Sequence, residues 1–246
     1  MIHPDWLRPD WTAPPGVRAF VTTRAGGVST GPYASLNLGT AVGDAPEAVA
    51  ANRARVRAAL PGDPAWLKQV HGTRLVDAAT CAPLTAADAS YTIEPGVVCV
   101  IQVADCLPVL FTDRAGTMVA AAHAGWRGLV GGVLATVVAA YAERGIAAGD
   151  LLAWIGPGIG AAAFEVGDEV HAEFTRHDAG AAAHFVRQGA TKWRADLHAL
   201  AQRALRRLGV AAIHGAPLCT VADPQRFFSY RRDHTTGRMA AFIWRE

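Results

Sequence analysis

Apolar runs rich in β-branched residues recur along the chain and predict buried strands. The clearest is residues 97–103, a nearly continuous run of valine, cysteine and isoleucine, which is typical of a strand buried on both faces. Other apolar runs predict strands at residues 17–22, 66–70, 74–76, 118–122, 151–155 and 239–244. These segments supply the sheet-forming part of the core.

Amphipathic spacing predicts helices between the strands. Residues 46–60 carry helix-forming side chains, with Pro46 near the first turn and Pro61 and Gly62 as a stop signal. Further helices are predicted at residues 129–144, 168–176 and 194–208. Because no repeat, charge block or proline-rich linker divides the chain, we predict one α+β domain over residues 1–246 in which helices cover mixed sheet.

Two glycine-containing loops interrupt this pattern. Residues 24–43 form a long polar, glycine-rich segment, and loops of this length are usually functional or mobile. Residues 125–128 form a tight loop between the strand predicted at 118–122 and the helix predicted at 129–144.

The charge balance argues against a nucleic-acid-binding protein. Lysine and arginine total 23 against 21 for aspartate and glutamate, a formal net charge of +2, whereas a nucleic-acid-binding domain carries a strong basic footprint. A hydrophobic content of 51% is enough to fill a substantial core. We therefore expect a small-molecule partner.

The cysteine pattern and the N-terminal residues predict a cytoplasmic location. Cys81, Cys99, Cys106 and Cys219 form no CxxC pair and no dense framework, which argues against structural disulfides and against a zinc ribbon. The first residues lack the basic start and apolar run of a signal peptide. The longest apolar stretches are too short to span a bilayer, so no membrane segment is predicted.

Three side chains with metal-binding chemistry follow strand-like runs. His71, Cys106 and His123 each come just after such a run, so their side chains can converge at one sheet edge. Two imidazoles and one thiolate suit zinc, and three protein ligands leave a fourth position open, as in catalytic zinc sites. Taken singly, a buried thiol or a hydrogen-bonded histidine is the commoner role, and the spacing matches no compact zinc motif.

Polar residues near the loops are candidates for substrate binding. Arg127 lies at the start of a predicted helix, where backbone N–H groups attract anions. Arg24 and Asn37 lie in the glycine-rich loop, and Arg231 lies near the C-terminus. Glu165 is a candidate acid or base, although a solvated surface role is common for such residues.

Seven motifs in order indicate a family. They are TTRAGGVS (22–29), SLNLG (35–39), QVHG (69–72), ADCLP (104–108), AHAGWRG (122–128), IGP (155–157) and SYRRD (229–233). The chain resembles the YfiH family over nearly its whole length. Members of that family carry the labels purine nucleoside phosphorylase, adenosine deaminase, and polyphenol oxidase or laccase.

The resemblance implies a fold and a ligand set. The fold is a layered α/β/β/α arrangement with mixed sheets, related to a cysteine hydrolase-like group. The family's metal ligands fall on His71, Cys106 and His123, the three residues that the pattern alone selects. Phe164 stands where a tyrosine is expected in the family, which leaves the role of that loop open.

The leading hypothesis is a zinc-dependent purine nucleoside phosphorylase. Such an enzyme cleaves adenosine, inosine, guanosine or 5′-methylthioadenosine with phosphate, and an arginine such as Arg24 or Arg127 would hold the phosphate. Deamination of adenosine is a further hypothesis, since zinc can activate water for attack on the purine. Its usual signature is only half present, in His171-Ala172-Glu173.

Three alternatives use the same residues. A cysteine-dependent amide hydrolase acting on a cell-wall precursor would use Cys106 as the nucleophile. A polyphenol oxidase would bind copper, which outcompetes zinc at most nitrogen and sulfur sites in vitro, but the chain has no His-x-His pair for a copper cluster. A binding protein would use the metal only to stabilise the fold.

Overall fold

The computed structural model describes residues 2–246, in which strands and helices are interspersed along the chain. The strands are β1 (Val17–Val21), β2 (Pro64–Ala65), β3 (Leu75–Asp77), β4 (Ala89–Thr92), β5 (Val98–Val103), β6 (Leu107–Asp113), β7 (Val119–Ala124), β8 (Leu151–Ile155), β9 (Glu165–Gly167), β10 (Phe185–Gln188), β11 (Lys192–Ala195), β12 (Ala212–His214) and β13 (Met239–Arg245). The α-helices are α1 (Pro46–Arg57), α2 (Trp126–Gly131), α3 (Val133–Ala142), α4 (Asp168–His177), α5 (Leu197–Arg207) and α6 (Tyr230–Asp233).

Two mixed sheets pack face to face at the centre. One has the strand order β1-β13-β5-β2 and the other β12-β8-β6-β7-β4-β3. Alternate side chains of β5 divide between two cores: Cys99 and Ile101 pack between the sheets, whereas Val98 and Val100 pack on the outer face. This period of two is expected of a strand buried on both faces.

Helices cover the outer face of each sheet. Val56 of α1 packs with Phe20 and Phe242 on the four-stranded sheet. Val137 of α3 and Leu200 of α5 belong to the core on the outer side of the six-stranded sheet. A small antiparallel sheet, β10-β11-β9, joins that same side. The order of layers is therefore α/β/β/α, and the predicted α+β fold with mixed sheets is confirmed.

Most predicted elements are present, but two are not as predicted. Residues 66–70 are not a strand and make only the isolated bridge of Lys68 to Ala86. The helix predicted at 129–144 is two helices, α2 and α3, because Gly132 lies between them with a φ of 98° in the left-handed region. Glycine adopts that conformation at little cost, and it ends a helix there.

The helices of residues 2–246 are short. None of them combines the length and the apolar character that crossing a lipid bilayer requires.

Candidate metal centre

The structure brings His71, Cys106 and His123 together at one end of the sheet pair. Their ligand atoms all lie within 4.8 Å of one another, and among residues 2–246 this is the one group of three or more such side chains close enough to hold an ion. Cys106 Sγ lies 3.9 Å from His71 Nε2. His123 is buried, Cys106 is half-buried and His71 is exposed, so the group is open to solvent on one side.

Each side chain comes from a segment near the gap between the sheets. His71 lies in the connection from β2 to β3, and Cys106 lies in the connection from β5 to β6. Both connections cross from the four-stranded sheet to the six-stranded sheet. His123 was predicted to follow its strand but lies within β7, where it pairs with Pro108. The three ligands thus meet where these two connections between the sheets pass the end of β7.

Asp88 links the segment around His71 to the side chain of His123, and no feature of the sequence pointed to it. Its carboxylate accepts hydrogen bonds from the backbone N–H groups of Val70 (3.1 Å), His71 (2.9 Å) and Gly72 (2.7 Å). The same carboxylate lies 2.8 Å from Nδ1 of His123. Asp88 is fully buried; burial raises its pKa, but the contacts with His123, Gly72 and Val70 outweigh it, so the pKa is lowered.

The donor set fits a zinc ion. Because Nδ1 of His123 faces Asp88, Nε2 is the nitrogen left for a metal, and a carboxylate partner on the far nitrogen is the usual support of a metal-binding histidine. Ligand atoms around tetrahedral zinc are about 3.6 Å apart for a nitrogen–sulfur pair, from the usual bond lengths. The 3.9 Å separation of His71 and Cys106 is close to that value.

Gly125 forms one wall of this site. A Cβ added there would lie 2.8 Å from Cys106 Sγ and 3.1 Å from His71 Cδ2. Its φ of −67° and ψ of 161° are open to any residue. The absence of a side chain at Gly125 therefore leaves space beside the cluster. Its backbone conformation does not require glycine.

Two residues of the site have strained backbones. His71 has a φ of 60° and Asp105 a φ of 88°, a region that costs energy for residues with a Cβ. Asp105 is held there by the Thr220 hydroxyl, which donates to Oδ1 at 2.5 Å, and by the backbone N–H of Arg231, which donates to Oδ2 at 2.6 Å. Strain of this kind concentrates at functional sites.

The cluster favours a thiolate beside a cationic imidazole. Burial raises the pKa of the Cys106 thiol, but the neighbouring imidazoles of His123 and His71 outweigh it and lower the pKa to about 6. Burial lowers the pKa of His123, but Cys106 and Asp88 raise it to about 9. A thiolate is both a zinc ligand and a nucleophile.

A cavity of about 680 Å³ opens over the cluster. This is within the range of small-molecule sites. Trp126, Phe164 and Tyr230 give it aromatic walls, and Arg231 and Arg238 also line it. No sequence feature pointed to Arg238, because it lies outside the motifs that contain Arg24, Arg127 and Arg231.

The remaining candidate residues lie in different places. Arg231 lines the cavity, but Arg24, Asn37, Arg127 and Glu165 do not. Arg24 donates to the carbonyls of residues 34 and 224. Arg127 is exposed, and its guanidinium lies 4.3 Å from the centre of the Trp126 ring. Asn37 is buried. Its side chain forms hydrogen bonds within its own loop and accepts one from the backbone N–H of Arg238. Glu165 forms an ion pair with Arg194.

Comparisons with known proteins cover almost the whole chain. Residues 18–246 match the family model described as multi-copper polyphenol oxidoreductase laccase. The chain is 52% identical over 240 residues to the purine nucleoside phosphorylase YfiH of Escherichia coli strain K12, covering 96% of this chain and 97% of that protein. It is 51% identical over 240 residues to the purine nucleoside phosphorylase PA4543 of Pseudomonas aeruginosa, covering 97% of this chain and 98% of that protein.

The fold is similar to that of a solved structure. The crystal structure of the Neisseria meningitidis protein NMB0706, of family DUF152, superposes with a TM-score of 0.93 at 50% sequence identity. The superposition covers 98% of this chain and 99% of that one.

Proposed function

Because the chain belongs to the family described as multi-copper polyphenol oxidoreductase laccase, with relatives named purine nucleoside phosphorylases, we propose that it is a zinc-dependent purine nucleoside phosphorylase. Its substrates are adenosine, inosine, guanosine or 5′-methylthioadenosine together with phosphate. The matches also confirm the resemblance to the YfiH family that the motifs indicated. The observation that carries the proposal is the His71, Cys106 and His123 cluster at the base of a cavity lined by aromatic and cationic side chains.

The proposed zinc ligands are His71, Cys106 and His123. When bound, zinc supplies a positive charge that polarises an oxygen atom of the substrate or of water. Asp88 holds the imidazole of His123 and the backbone around His71 in place, so the protein itself orients one ligand ring and the segment that carries another. Such preorganisation is what a catalytic site requires.

The cavity suits the two substrates of phosphorolysis. In that reaction a phosphate oxygen bonds to C1′ of the ribose while the bond from C1′ to the purine nitrogen breaks, and the purine leaves with the electron pair and takes up a proton. Trp126, Phe164 and Tyr230 offer apolar surfaces for the purine. Arg231 and Arg238 offer positive charge for the phosphate.

The ligand inventory argues against multi-copper chemistry, despite the family's description. A multi-copper oxidase needs histidine ligands for several copper ions. In residues 2–246 a single group of three side chains has metal-binding geometry, and the sequence has no His-x-His pair. One copper could occupy that group in vitro, since copper outcompetes zinc at such ligands.

Product analysis tests the proposal. Zinc-loaded protein is incubated with inosine and with adenosine, with and without phosphate, beside Cys106→Ser and a matched Cys81→Ser control whose thiol lies outside the cavity lining. We expect free base and ribose 1-phosphate only when phosphate is present, with the activity lost in Cys106→Ser and kept in Cys81→Ser. Inosine formed from adenosine without phosphate would indicate deamination. Absence of turnover by fully zinc-loaded protein would contradict the proposal.

A second candidate function is amide hydrolysis with Cys106 as the nucleophile. It is favoured by the position of Cys106 within 4.8 Å of His123 and of His123 beside Asp88, which resembles a nucleophile, a base and the group that orients the base. Alkylation by iodoacetamide separates the two roles. Protection of Cys106 by zinc supports the ligand role, whereas equal labelling with zinc and with a chelator supports the nucleophile.

A further inference from the structure

Arg238 immediately precedes β13 in the chain, and it lines the cavity. Several contacts hold it in place. Nη1 of its guanidinium donates to the carbonyls of Thr236 (3.1 Å) and Gly237 (3.0 Å). Its backbone N–H donates to Oδ1 of Asn37 at 2.9 Å. Its stem passes Gly39, where an added Cβ would lie only 2.8 Å from Cγ of Arg238. The side chain is therefore positioned before any ligand binds.

This arginine has no counter-ion in the part of the chain that the structure describes. No ion pair joins it to a carboxylate. The carboxylate of Asp105 acts on it electrostatically but is already occupied by the hydroxyl of Thr220 and the backbone N–H of Arg231. Burial lowers the pKa of Arg238, and the charges of Cys106 and Asp105 offset this effect only in part. The cation is thus partly desolvated and near the candidate metal ligands.

One edge of the guanidinium is left for a ligand. Nη1 is engaged, whereas Nε and Nη2 make no hydrogen bond to residues 2–246. Two adjacent N–H groups match the spacing of two oxygens of a phosphate and can bind them in parallel. Arg231 also lines the cavity but is exposed, and an exposed cation gives up more hydration when it binds an anion.

We propose that Arg238 is the principal phosphate-binding residue of the cavity. This inference rests on the proposed function, since that function makes phosphate the second substrate. It assigns the role to a residue at the start of β13 rather than to Arg24 or Arg127, which lie outside the cavity lining. Arg238 and the His71, Cys106 and His123 cluster line the same cavity. Asn37 and Gly39 then act as positioning residues, because they fix the backbone and the stem of Arg238.

The test measures phosphate binding and turnover separately. Isothermal titration calorimetry with inorganic phosphate is run on zinc-loaded wild type, Arg238→Met, Arg238→Lys and the control Arg206→Ala, an exposed arginine on α5. Methionine keeps the apolar stem, and thermal denaturation checks that each variant is folded. We expect phosphate binding about 10- to 100-fold weaker in Arg238→Met, an intermediate loss in Arg238→Lys, and no change in the control. The KM for phosphate should rise in parallel, with little change in the KM for inosine.

A second variant displaces the side chain without removing its charge. Gly39→Ala places a Cβ against the stem of Arg238, so it should also weaken phosphate binding. Wild-type phosphate affinity in folded Arg238→Met would overturn the assignment, whatever the turnover. Phosphate binding that depends on Arg238, in a protein that cleaves no nucleoside, would support the assignment and contradict the proposed function.

Discussion

Asp88 links two of the three candidate ligands through one carboxylate. It accepts hydrogen bonds from the backbone around His71 and faces Nδ1 of His123. An isolated aspartate between two predicted strands gives no such signal in the sequence, because its partners lie in segments that meet only in the folded chain. His71, Cys106 and His123 could be selected because each carries a metal-binding side chain and comes just after a strand-like run.

Replacing Asp88 by asparagine should weaken zinc binding. The amide NH₂ would face backbone N–H donors that the carboxylate now satisfies, so both ligand segments lose their support. We expect zinc affinity to fall about 10- to 100-fold, measured by competition with a chromophoric chelator. Asp63→Asn, which changes an exposed carboxylate, is the control. Wild-type zinc affinity in Asp88→Asn would show that Asp88 does not position the ligands.

Adding one methyl group at Gly125 should abolish the site while the fold remains. The Cβ would overlap Cys106 Sγ and crowd His71, but the backbone conformation suits alanine. We expect Gly125→Ala to retain the wild-type circular dichroism spectrum and to lose bound zinc, measured by elemental analysis. Gly149→Ala, where a Cβ meets no atom within 4 Å, should keep its zinc. Full zinc occupancy in Gly125→Ala would contradict the geometry of the site.

At the scale of elements, the differences between prediction and structure have local causes. The strand β6 was not among the predicted strands. Pro108 is its second residue, near the end of the strand, where a missing N–H is tolerated. Residues 129–144 have helical periodicity throughout, but Gly132 divides them because it adopts a left-handed conformation that costs glycine little. The strand at residues 151–155 was predicted correctly, because its apolar run is bounded on both sides by turn-forming residues.

An ion-pair cluster joins Asp178, the residue that follows α4, to α5 and gives the stability of the fold a pH dependence. Asp178 accepts from Arg203 at 2.5 Å and pairs with Arg207 at 2.6 Å. Hydrogen bonds from Arg203, and then from Arg207 and Gly180, hold the pKa of Asp178 well below its usual range although burial opposes them. Because the folded pKa is lowered, this contribution to stability is present above the unfolded pKa of about 3.9 and is lost as the pH falls below it.

The Asp178→Asn variant should therefore be less stable than wild type at neutral pH, and the difference should shrink as the pH falls from about 5 to 2. Urea denaturation across that range measures it. Glu94→Gln, an exposed carboxylate with no ion pair among the described residues, should show no such convergence. A difference between wild type and Asp178→Asn that stays constant with pH would contradict the role given to the ion pairs.

At the scale of the whole molecule, the sandwich of two sheets creates the site. The alternation of strand and helix patterns predicts the fold class, because each element must bury one face. Strand order could not be predicted, since pairs such as β5 with β13 and β1 with β13 join distant parts of the chain. The cavity and Arg238 follow from that order, so neither was visible before the fold was known.

The central claim is that one three-ligand zinc site supports phosphorolysis of purine nucleosides. Its most direct test is a zinc titration of chelator-stripped protein with inosine and phosphate as substrates, following release of hypoxanthine. We predict that the stripped protein is inactive and that turnover rises linearly and saturates at one zinc ion per chain. Full turnover by the stripped protein, or activity that requires several metal ions per chain, would contradict the claim.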